Sequence, residues 1–169
     1  MSQVHASSVV DPKAKLGKNV QIGPFCVIGP GVSLGDGCKL HSHVVIEGNT
    51  TIGTECEVFP FASLGHIPQD LKYRGEESRL VIGDRNRIRE YVTMNPGTEG
   101  GGGITRIGSD CLFMAQAHVA HDCQIGDHVI MANGATLAGH CVVGDHAILG
   151  GLSAVHQFVR IGRHAFIGG

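Results

Sequence analysis

Along this chain an aliphatic side chain returns every sixth residue, from Val10, Leu16, Ile22 and Ile28 through to Val58 and Leu64. The beat resumes at Ile82, Ile88 and Met94, and after a second break it runs from Ile107 and Phe113 to Ile161 and Ile167. Glycine often follows at once (Gly17, Gly23, Gly29, Gly126, Gly144), and the residue two places earlier is usually small or β-branched (Ala14, Val20, Cys26, Thr50, Ala117, Ala135). A helix repeats at about 3.6 residues and a strand at 2, so neither alone explains a period of six. A six-residue side ending in a turn does explain it, and three such sides close a triangular coil of about 18 residues with the aliphatics stacked inside. The 24 positions on this beat predict about eight coils and a prism about 35–40 Å long.

The pattern predicts one all-β domain over residues 1–169, a hexapeptide-repeat solenoid shaped as a triangular prism. Resemblance to hexapeptide-repeat proteins makes it a left-handed parallel β-helix, against the usual right-handed crossover. Two stretches leave the beat. Residues 66–80 fall within a spacing of 18 from Leu64 to Ile82, a whole multiple of six, while residues 95–106, with Gly100 to Gly103, shift the phase by one. Loops on a rigid scaffold are where binding residues concentrate. No Lys-Ser/Thr follows the glycine run, so it is not a phosphate-binding loop.

Composition fits this architecture. Aromatics make up 5% with no Trp, and glycine reaches 26 of 169 residues, which suits a core of small and branched side chains with many turns. All six cysteines (Cys26, Cys38, Cys56, Cys111, Cys123, Cys141) fall two places before an aliphatic, at the small interior position. They are expected to be reduced and buried rather than bridged or metal-bound. A net charge of −2 gives no nucleic-acid signature. No secretory signal and no membrane-length apolar run is present, so a cytoplasmic protein without a transmembrane segment is expected.

An 18-residue coil aligns side chains across coils. His121, Gly139 and Gln157 share one register, and His140 and His156 fall within about a residue of it, with His118 earlier on the same coil as His121. A neutral imidazole can take a proton from a hydroxyl near pH 7, and a carboxylate, Asp122 or Asp70, could fix its tautomer. Gly139 offers a bare backbone N–H for a developing oxyanion. A base, an orienting acid and an oxyanion donor are what acyl transfer requires. A second column, His128, His146 and His164, follows Gly-Asp or Gly-Arg at turns and is expected to be a solvated edge.

The segments His118-Val119-Ala120-His121-Asp122-Cys123, Ala138-Gly139-His140 and Ala154-Val155-His156-Gln157-Phe158 resemble motifs of the UDP-N-acetylglucosamine O-acyltransferase family of lipid A biosynthesis. So do Gln69-Asp70-Leu71-Lys72-Tyr73 and the run Ile82 to Glu90. The resemblance implies transfer of an (R)-3-hydroxyacyl group from acyl carrier protein to the sugar 3-position, in a homotrimer, with no metal, no cofactor and no acyl-enzyme. His121 matches the general base and Gly139 the oxyanion-hole amide. Asp70, Lys72, His118, His140, His156 and Gln157 match substrate-binding positions, and Gly169 the residue that sets acyl-chain length. Six of the 13 basic residues lie between Lys72 and Arg89, a candidate patch for the acidic carrier protein.

The sequence departs from the family at Asn95-Pro96-Gly97-Thr98, where His-Arg-Gly-Thr is frequent, so a 3-amino sugar acceptor and an amide product stay open. It also stops at Gly168-Gly169 in mid-repeat, whereas family members continue with further coils and a helical C-terminal region; the chain is expected to lack that region. The competing readings are the related sugar N-acyltransferase, a γ-type carbonic anhydrase with three zinc-binding histidines, and a silent solenoid fragment.

Overall fold

The computed structural model describes residues 2–169. Its short strands form three parallel sheets of nine, eight and eight strands, the three walls of a left-handed parallel β-helix. Each regular strand pairs with the one 18 residues on, as Gln3 with Gln21, His118 with Thr136 and Val142 with Arg160. The strand Gln3–Val4 adds a side ahead of Val10, where the six-residue beat had not been traced. Val4 is too exposed to look like a core position.

The inward column of aliphatics fills the prism, and the small residues two places earlier fit its corners. All six cysteines are buried and free, and burial pushes the Cys111 thiol up to about 11. Of the polar residues at these interior corners (Thr50, Asn86, Thr105 and Ser153), Asn86 is the one amide. Asn86 is fully buried; its Nδ2 donates to the Gly108 carbonyl at 2.8 Å, and its Oδ1 accepts from Cys111 N–H at 2.8 Å. Asn86→Ala strands both backbone groups, and a cost of about 1–3 kcal/mol is expected in chemical denaturation. A variant as stable as the parent would show that another group satisfies them.

Both departures from the beat leave the prism at one edge. Ile52 pairs with Ile82, and Ile82 with Ile107, so the inserted residues are expelled without disturbing the sheet register. The strands Arg79–Ile82 and Ile104–Ile107 are four residues long and begin inside the stretches expected to be loops. Sheet pairing reclaims residues that the aliphatic beat alone cannot assign. The second insertion carries a single 3-10 turn, Glu99–Gly101. No helix among the described residues is long and apolar enough to cross a membrane.

Candidate active site

The edge that ejects both loops continues upward through the corners at 120–122, 138–140 and 156–158. His121 and Asp122 are both buried there. Asp122 takes a left-handed backbone (φ 62°), and its N–H donates to Thr105 Oγ1 at 2.8 Å. His121 Nδ1 lies 2.8 Å from Asp122 Oδ2. A carboxylate only accepts hydrogen bonds, so Nδ1 carries the proton and Nε2 keeps its lone pair. Of the two carboxylates that could orient this histidine, Asp122 is the one in contact.

Gly139 stacks directly over His121. A Cβ there would overlap the Cε1 and Nε2 atoms of the imidazole, so only glycine leaves the ring its place. The His140 N–H donates to the His121 carbonyl at 3.0 Å, while the Gly139 N–H makes no protein hydrogen bond among the described residues. His140 meets His121 edge-on, with ring centroids 4.9 Å apart, and Phe158 stacks flat on His140 at 4.5 Å.

His118 points outward from its strand, with Nδ1 2.7 Å from Thr93 Oγ1. Burial first, and the neighbouring His121 second, hold its imidazole below the ordinary value, so it stays neutral near pH 7. Asp70 and Lys72 stand across a cleft of about 290 Å³ from His140 and Phe158, with Arg74, Glu76 and Thr98 on the same wall. His156 and Gln157 are exposed on the third coil of this edge. Gly169 lies on a different edge, against the backbone of Gly151, and does not join the histidines within one chain.

The two inserted loops brace each other beside this corner. Asn95 Nδ2 donates to the carbonyls of His66 at 3.1 Å and Ile67 at 3.3 Å, and Glu99 N–H reaches Glu76 Oε1 at 3.3 Å. Thr98 donates through its N–H to Asp122 Oδ1 at 2.8 Å and through its hydroxyl to Oδ2 at 2.6 Å. Thr98 matches the last residue of the family's His-Arg-Gly-Thr, but it sits in an aperiodic glycine-rich stretch, so counting by the repeat could not assign it a role. His121, Asp122 and His140 have ligand atoms close enough together to hold a cation. However, both Asp122 oxygens already accept hydrogen bonds, so the group is built as a hydrogen-bonded relay.

The six basic residues between Lys72 and Arg89 do not form one patch. Only Lys72 and Arg74 line the cleft. Arg79 and Arg87 lie on strands of different sheets, Arg85 is engaged by Asp110 through two hydrogen bonds of 2.8 and 2.9 Å, and Arg89 pairs with Glu90 while lying over the Phe59 ring. The His128–His146–His164 column is a solvent-facing stack with centroids 4.7 Å apart, as expected of a turn edge.

A prism of parallel six-residue sides with a histidine–carboxylate pair at one edge places the chain among hexapeptide-repeat proteins. The bacterial transferase hexapeptide family matches residues 13–48 and 104–139. The chain is 52% identical over 136 residues to acyl-(acyl-carrier-protein)-UDP-N-acetylglucosamine O-acyltransferase of Thermodesulfovibrio yellowstonii, covering 80% of this chain and 53% of that protein. LpxA from Acinetobacter baumannii superposes with a TM-score of 0.97 at 51% identity, over 98% of this chain and 64% of that one. UDP-N-acetylglucosamine O-acyltransferase (LpxA) from Moraxella catarrhalis gives a TM-score of 0.96 at 45% identity, over 98% and 65%. The chain belongs to the UDP-N-acetylglucosamine O-acyltransferase family. It spans about half the length of that curated relative and just under two thirds of those two solved structures.

Proposed function

We propose that this chain carries the acyl-transfer edge of a cytoplasmic enzyme of lipid A biosynthesis, which moves an (R)-3-hydroxyacyl group from acyl carrier protein to the 3-hydroxyl of UDP-N-acetylglucosamine. The observation that carries the reading is the buried His121–Asp122 pair with the bare Gly139 peptide stacked over the imidazole. Asp122 holds the proton on Nδ1, so Nε2 takes the proton of the sugar hydroxyl as its oxygen attacks the thioester carbonyl. The Gly139 N–H meets the oxyanion of the tetrahedral intermediate. Collapse breaks the carbon–sulfur bond, and the proton on Nε2 passes to the departing thiolate, leaving an ester and a free carrier thiol. Asp70, Lys72, His118, His140, His156 and Gln157 bind the two substrates along the same edge, and no metal or cofactor enters these steps.

The working unit in this reading is a homotrimer. Leu112, Ile130 and Ile148 form an outward apolar column on one sheet, ending at the exposed Phe166. At the other end of the same sheet the outward residues are Gln3, Gln21 and Lys39. An apolar outer face of that kind favours packing against another subunit. Gly169 can limit an acyl chain held at His121 only if that chain runs between subunits, since the two residues occupy different edges.

Mass spectrometry of products from UDP-N-acetylglucosamine, its 3-amino analogue and mixed hydroxyacyl carrier proteins tests this directly. A 3-O-hydroxyacyl ester is expected. Product only from the amino sugar would reassign the acceptor, and zinc-dependent CO₂ hydration without acyl product would overturn the reading.

A further inference from the structure

Asp122 is gripped from two sides, and only one of them is the histidine. On the other side Thr98, at the start of the 3-10 turn, places its N–H on Oδ1 and its hydroxyl on Oδ2. Oδ2 therefore accepts from Thr98 and from His121 Nδ1 at once. Thr98 is buried. Gly97 and Gly101, on either side of it, lie so close that a Cβ at either would overlap the Asp122 side chain. Thr105 holds the Asp122 backbone from below.

We infer that Thr98 is a positioning residue of the acyl-transfer site, and that its loop belongs to the base apparatus rather than only walling the cleft. The inference rests on the base role proposed for His121. An aspartate carboxylate turns readily about its last torsion, which has a broad, shallow profile. Three donors at fixed positions remove that freedom and hold Oδ2 opposite Nδ1.

Other titratable groups face this pair. His118 lies on the same coil, and His140 reaches in from the next, its Nδ1 3.8 Å from Asp122 Oδ2. Asp70, Lys72, Arg74, Glu76 and Glu99 line the adjoining cleft. None of them shares the two-point grip of Thr98 on the carboxylate.

Thr98→Val removes the hydroxyl donor and keeps the shape and the N–H, while Thr98→Ser restores the donor. The valine variant is expected to lose roughly tenfold in kcat, the scale of one hydrogen bond to a charged group, with KM for both substrates within about twofold. The acidic limb of its kcat/KM profile should move to lower pH, because a carboxylate that has turned from Nδ1 stabilises the imidazolium less. The serine variant should restore both. A second readout needs no turnover. ¹⁵N-histidine NMR on this chain should show His121 as the Nδ1–H tautomer in the parent and in Thr98→Ser, with the Nε2–H form appearing in Thr98→Val; the amide spectrum of the same sample reports folding. An unchanged tautomer in a folded valine variant overturns the inference, as does a serine variant that behaves like valine. If instead His121→Ala keeps full activity while the tautomer still answers to Thr98, the base reading fails and the positioning of Asp122 by Thr98 stands.

Discussion

His121→Ala is expected to lower kcat by about 10²–10⁴-fold, the range that a positioned general base contributes, with KM changed far less. No neighbouring group can take over. His118 Nδ1 is committed to Thr93, and His140 stands edge-on to the His121 ring with its own face covered by Phe158. The substitution should leave the fold intact, because the imidazole fills the space beside Gly139 rather than the apolar column inside the prism. Steady-state kinetics, with a thermal melt as the folding control, check this. Activity within tenfold of the parent would remove His121 from the chemistry and leave only the scaffold assignment.

The largest stability effect is expected at Phe113. It is the bulkiest of the fully buried side chains, stacked between Ile88 and Met131 in the inward column of one sheet. Phe113→Ala should cost about 3–5 kcal/mol, since the neighbouring rungs are pinned by sheet hydrogen bonds and cannot collapse into the void. The loss falls on the coil that also carries His118, His121 and Asp122. In a solenoid each coil is stabilised mainly by its two neighbours, so denaturation should reach the active edge before the distant coils. Urea unfolding followed at both places checks this, and a cost below about 1 kcal/mol would show that the interior relaxes more freely than close packing allows.

The architecture was legible because burial inside a three-sided prism imposes a six-residue beat that no other packing shares. The register of His121, Gly139 and Gln157 was legible for the same reason: no insertion separates these three coils, so counting by 18 is enough. The choice between Asp122 and Asp70 could not be made by counting. Adjacent side chains normally diverge, and only the left-handed backbone at Asp122 lets its carboxylate meet the His121 ring. The role of Thr98 could not be reached by counting, because it lies in a glycine-rich excursion whose return path is set by hydrogen bonds to Asp122, not by any periodicity. Basic residues close together in sequence were scattered because Lys72 and Arg74 leave the prism on a loop, while Arg79 to Arg89 turn a corner from one sheet to the next. Gly169 stands on a different edge from the histidines for the same geometric reason.

The ladder of rungs also quantises the site. Equivalent positions on successive coils are separated by steps of about 4.8 Å, which is why stacked rings 18 residues apart at this edge and at another fall at 4.5 Å and 4.7 Å. Such a framework cannot drift by fractions of an ångström to suit a new substrate. Altered specificity has to come from exchanging the occupant of a rung, or from the two excursions that are free of the lattice.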